Sequence, residues 1–214
     1  MNKFAVAAVA ALSLLAACAQ TPSPEEVAAK EAEIAAQREI AVRALYDTAT
    51  EAVSGEAGPA ALAPYVPELE DALAQAPQVD DAVDSPYPGM ALLLVRYYNQ
   101  SGRFEDALKM FDGQHSLDGY PEERAIALGG AKRWTEALAA WEQALRRAEL
   151  TDAERVRLWC GRSAALIGLG RPNEAELSLR SVLAVDPENK AAAAEMARLA
   201  PMRADAALGG VPVR

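Results

Sequence analysis

The sequence predicts an all-α protein made of helix–turn–helix units, and three observations predict it. Apolar residues recur at i, i+3, i+4 and i+7, the spacing of one helix face. Hydrophobic residues make up 51 % of the 214, much of it alanine, and aromatics only 6 %, a balance that favours close helix packing. Finally, Ala107, Ala137 and Ala175 hold the same place in three similar stretches, 30 and then 38 residues apart, which is the mark of an internal repeat.

In chain order, residues 1–17 read as an export signal. Asn2 and Lys3 form a short positive start, and an apolar run over 4–15 follows that is too short to span a bilayer as an ordinary helix. Leu15-Ala16-Ala17-Cys18 then resembles the lipobox of bacterial lipoproteins. The resemblance implies cleavage between Ala17 and Cys18 and a diacylglycerol (palmitate-type acyl chains) on the Cys18 thiol. Ala19 follows instead of an inner-membrane retention aspartate, which by the same analogy implies the outer membrane, facing the periplasm. The competing expectation is ordinary secretion, since Ala17-Cys18-Ala19 also satisfies the small-x-small cleavage rule and would release a chain starting at Gln20.

Residues 18–24 make a polar, proline-bearing tether. An N-terminal helical region is expected over 25–88. It opens with a long helix over 25–53, whose Glu25 and Glu26 suit the positive end of the helix dipole. Val27, Ile34, Ala41, Leu45 and Ala52 form a loose stripe, compatible with packing on the next helices or with pairing to a second copy. Residues 54–59 break it, Pro64 to Pro67 kink the connector, and 68–76 read as a short helix. The loop over 77–88 carries Asp80, Asp81 and Asp84 without the spacing of a calcium loop, so no metal is expected.

Repeats and a capping helix are expected over 89–200. The first repeat spans 89–114, with Gly102 at its turn. Ala91 and Val95 reverse the usual large and small positions, which predicts looser or rotated packing. A linker over 112–121 holds His115, the only histidine of the chain. The middle repeat, 122–148, has Gly129-Gly130 two residues ahead of the expected turn, and places Trp134 and Trp141 seven apart on one face. Thr151 and Glu154 have the spacing of a capping box. The clearest unit runs over 159–189. Trp159, Arg162, Ser163 and Leu166 share a stripe, Gly170 ends the helix, Pro172 opens the next, and Ala175, Leu179, Val182 and Leu183 line one face. A capping helix over 190–199 follows, and 201–214 read as a disordered tail.

Trp159, Leu166, Gly170, Ala175, Leu179 and Pro187, with their partial counterparts in the two earlier units, resemble the tetratricopeptide repeat. The resemblance implies an array of about three helical hairpins that presents a groove to a protein partner. It places Arg96, Asn99, Glu122, Ile126, Arg157 and Cys160 on the groove side. Arg96 and Arg157 are the pair suited to holding a peptide carboxylate. The lysine–asparagine set of chaperone-tail-binding members is not reproduced.

One histidine and no zinc, phosphate-loop or dinucleotide signature leave no catalytic residues, cofactor or metal to nominate. The formal net charge is −10, and removing Lys3 with the signal makes it −11 (20 basic against 31 acidic residues), which disfavours nucleic acid. With Cys18 lipidated, Cys160 has no partner for a disulfide and reads as a small packing residue or a reactive thiol. The functional expectation is therefore a lipid-anchored adaptor or scaffold for envelope or secretion-machinery proteins. A homo-oligomeric assembly factor working through the N-terminal helix is the alternative, and an enzyme activator is the third.

Overall fold

The computed structural model describes residues 23–77, 84–113 and 117–207. Among them are nine α-helices, one 3-10 helix and no strand. The chain divides into two units, Met1–Ala41 and Val42–Arg214. Of the first unit the described part is the start of helix α1 (Pro24–Val53), and every residue from 23 to 41 is exposed. The stretch expected to be an export signal, with Ala17 and Cys18, and Asp80, Asp81 and His115 lie outside the described residues.

The second unit begins with the end of α1, where Val42 and Ala49 are buried. A 3-10 helix over Gly58–Tyr65 replaces the expected kinked connector, and α2 (Val66–Ala74) is the expected short helix, begun two residues earlier. The prolines explain the difference. Pro59 and Pro67 sit in first turns, where no main-chain N–H is missed, so they start helical segments rather than break them. Then come α3 (Tyr87–Gln100), α4 (Phe104–Phe111), α5 (Pro121–Gly130), α6 (Trp134–Leu145), α7 (Asp152–Gly168), α8 (Pro172–Val185) and α9 (Lys190–Ala207). Every consecutive pair of helices from α3 to α9 packs together, and α3 also meets α5, and α5 meets α7. The first helices of the three hairpins thus lie side by side in one layer.

Half of α3 is buried, including Ala91 and Val95 with no exposure at all, so the looser packing expected there is absent. The helix is anchored further by Tyr98, whose hydroxyl bonds the Glu70 carboxylate of α2 while Arg103 lies over its ring, 4.4 Å from the centroid. Burial first, and then Glu70, push the Tyr98 phenol above its ordinary pKa. At the other end of the chain, α9 runs on through Pro201 to Ala207, beyond the expected stop at 199. The cap is held by Ala192 and Leu199, both buried.

All three hairpin turns are built alike. Each has one residue in the left-handed region, Gly102 (φ 76°), Lys132 (φ 61°) or Gly170 (φ 69°). The next residue is an arginine whose N–H reaches back over the turn: Arg103 to the Tyr98 carbonyl (2.8 Å), Arg133 to Leu128 (2.8 Å) and Arg171 to Leu166 (2.9 Å). That bond satisfies a carbonyl the helix end would leave unpaired. Each arginine then pairs with an acid three residues on, Asp106, Glu136 or Glu174. The middle turn puts lysine where its sisters use glycine. A side chain there costs about 1–2 kcal/mol, against the roughly 0.5–1 kcal/mol that glycine loses in chain entropy. Lys132→Gly is accordingly expected to raise stability by about 0.5–1 kcal/mol in urea unfolding. An unchanged midpoint would mean that the turn carries no strain.

Gly130 of that repeat has another job, shared with two glycines of α7. Phe104 of α4 lies against Gly130 of α5, Trp134 of α6 against Gly168 of α7, and Trp141 against Gly161. A methyl group on any of these glycines would overlap the ring. The two tryptophans and their two glycines are each seven residues apart, so α6 and α7 run antiparallel with two rings seated in two sockets.

Candidate functional site

The inner layer of α3, α5 and α7 lines a groove of about 710 Å³. Its geometry starts from the N-terminus of α5. Pro121 opens that helix, and Glu122 and Glu123 follow in the first turn. Neighbouring residues on a helix point about 100° apart, so the two carboxylates diverge. Glu123 turns to α3 and accepts bonds from Arg96 Nε (3.1 Å) and Nη2 (2.8 Å). Glu122 turns to α7 and accepts from Arg157 Nε and from its Nη2 at 3.0 Å. The middle hairpin is thereby tied to both neighbours across the groove.

Exposure sorts these charges by depth. The Arg96 and Arg157 side chains are 48 % and 56 % exposed, but Glu123 and Glu122 only 15 % and 17 %. Guanidinium groups therefore stand at the mouth and the carboxylates lie behind them. The bond from Glu122 holds Arg157 still more firmly charged than usual. A third pair, Arg147 with Glu154 at 3.9 Å, closes one end. Glu154 is fixed by the capping box: its carboxylate accepts the Thr151 N–H (2.8 Å) and its own N–H donates to Thr151 Oγ1 (3.3 Å). The Thr151 N–H bond, more than any other cause, keeps the Glu154 carboxyl below its ordinary pKa. The groove lining thus carries three arginines and three glutamates in a chain that is otherwise strongly acidic.

Polar and apolar contacts alternate along the lining. Asn99 donates through Nδ2 to the Glu123 carbonyl (3.0 Å), and its Oδ1 is buried without a partner among the described residues. Tyr120 and Ile126 add apolar surface, each more than a third exposed.

Five of the six residues expected to face a groove, Arg96, Asn99, Glu122, Ile126 and Arg157, line this one cavity. Two corrections follow. Cys160 is not among the lining residues. It is half-buried on α7, its main-chain carbonyl accepts from Ser163 Oγ (2.7 Å), and burial raises the thiol's pKa. The arginines are also not free clamps, since each is engaged by a glutamate of α5. Glu123, Arg147 and Tyr120 were not anticipated. The tandem Glu122-Glu123 was the available signal, but its two directions depend on the rotation of α5, which sequence spacing leaves open. Arg147 and Tyr120 stand just outside helix ends, where only chain tracing places them.

The fold and site define an all-α chain of packed helical hairpins with a charge-balanced groove on its inner layer. No family model matches this chain, and no curated protein or solved structure matches it.

Proposed function

We propose that this chain is an outer-membrane lipoprotein of the periplasm that acts as a protein–protein adaptor or scaffold, its tetratricopeptide-type hairpins docking a segment of an envelope or secretion-machinery protein. The observation that carries the reading is the gathering of Arg96, Asn99, Glu122, Ile126 and Arg157 around one groove. The anchoring half rests on the lipobox-like run ending at Cys18. No helix among the described residues is long and apolar enough to cross a membrane. The bonds to glutamate use Nε and one N–H of Nη2 of each arginine, so Nη1 and the second N–H of Nη2 are the donors left to meet a carboxylate or main-chain carbonyl of the partner. Tyr120 and Ile126 supply the apolar contact such a partner buries.

Ile126 is the residue to test. Truncating Arg96 or Arg157 would strand a glutamate, and so weaken the fold together with binding. In whole-cell crosslinking, wild type is expected to capture one envelope protein, and Ile126→Lys to lose it, with affinity for that protein falling about 30-fold or more (roughly 2 kcal/mol at a central contact). Leu177→Lys, at an exposed apolar position on α8 outside the groove, is expected to keep the catch. An equal catch from Ile126→Lys would remove the groove from consideration.

A further inference from the structure

The groove lining is balanced in charge while the chain around it is not. Among the described residues its six charged side chains are Arg96, Arg147, Arg157, Glu122, Glu123 and Glu154, which sum to zero, and the other seven are uncharged. The whole chain carries a formal net charge of −10. Such a field works against an acidic ligand on approach, and the groove has no net positive charge with which to hold one. A basic ligand fares no better at close range, because exposed guanidiniums stand at the mouth and the carboxylates lie behind them.

The hydrogen bonds point the same way. Arg96 and Arg157 each already touch a glutamate, Glu123 at 2.8 Å from Nη2 and Glu122 at 3.0 Å from Nη2. A partner carboxylate on either guanidinium would be drawn by the cation and pushed by the glutamate beside it, so the two effects largely cancel. Taking that carboxylate out of water costs further. The N–H groups left over still donate to a neutral oxygen. An acceptor is left as well: both bonds from Arg96 go to Glu123 Oε1, and Oε2 accepts none among the described residues. Donors and an acceptor side by side suit a main chain, in which every residue but proline offers one N–H and one carbonyl. Beside them Tyr120 and Ile126 are more than a third exposed and offer apolar surface.

We propose, resting on the docking function above, that the groove takes an uncharged segment of its partner. The arginine N–H groups hold its main-chain carbonyls, and Tyr120 and Ile126 bury one of its apolar side chains. Glu122 and Glu123 set the specificity: by neutralising Arg157 and Arg96 they exclude acidic segments that bare guanidiniums would bind.

The test immobilises the full chain and offers three pools of short random peptides, one uncharged, one rich in Asp and Glu, and one rich in Lys and Arg. Groove binding is the capture that Ile126→Lys loses and Leu177→Lys keeps. The expected groove binders come from the uncharged pool, and their Kd changes less than about twofold between roughly 50 and 500 mM salt. Glu123→Gln keeps an acceptor for Arg96 but removes the charge. It is expected to raise capture of the acidic pool about tenfold, a gain that salt removes. Glu122→Gln makes the same change beside Arg157 should the first variant fold poorly. Groove binding by wild type drawn from the acidic or the basic pool overturns the uncharged ligand, and so does a glutamine variant that gains no acidic peptides. Either result leaves the docking groove standing. If no pool yields a peptide whose capture depends on Ile126, the docking function itself falls, and the uncharged ligand with it.

Discussion

Gly168→Ala is expected to destabilise the protein by about 2–3 kcal/mol, lowering its thermal midpoint by roughly 4–10 °C. A single methyl group is enough because of what it meets. Gly168 ends α7 against the ring of Trp134, which opens α6, and the added carbon would overlap the indole. The helix cannot shift away freely, since Ala137 and Ala140 of α6 are buried. The helices must separate or the indole must leave its rotamer, and both lose contact along the shared face. The check is a double-mutant cycle. Trp134→Leu alone leaves a void and is itself destabilising. Combined with Gly168→Ala it should cost less than the two single changes added, with a coupling of at least about 1 kcal/mol. Simple additivity would show that ring and glycine are not a fitted pair. Gly161→Ala should behave likewise with Trp141.

Cys18→Ser is expected to abolish lipid attachment outright. The diacylglycerol of a lipoprotein is carried on a thioether, and serine has no thiol to form it. Growth with an alkyne-tagged fatty acid should label the wild-type chain and leave the variant unlabelled. After cell lysis, the wild type should partition into detergent and the variant should remain as uncleaved precursor. The effect on labelling is expected to be all-or-none, because serine offers no thiol to alkylate. Mass spectrometry of the mature wild-type N-terminus gives the decisive number. An acylated Cys18 supports the anchor, and a free Gln20 would establish ordinary secretion instead.

Much of the fold was readable because its determinants are local. Helical periodicity, Gly102 and Gly170 at left-handed turns, Pro172 in a first turn and the Thr151/Glu154 capping box each act within a few residues. These features placed the helices of the three hairpins. Errors arose where a residue's role depended on a neighbour distant in sequence. Gly130 read as a displaced turn, but it is the seat for Phe104, and Lys132 makes the turn. Arg96 and Arg157 read as a pair for a peptide carboxylate, and each already meets a glutamate of the chain itself, 27 and 35 residues away in sequence. Pro64 and Pro67 read as a kinked connector and lie within a 3-10 helix and the start of α2.

The sequence by itself determined that this chain is helical and where its first and third hairpins turn, because short-range sterics and hydrogen bonding decide both. Only the tertiary structure decided how those helices are rotated against one another. That rotation seats Trp134 and Trp141 in glycine sockets, sends Glu122 and Glu123 to opposite sides, and leaves Cys160 outside the groove. It is set by packing among many side chains at once, and no single stretch of sequence contains it.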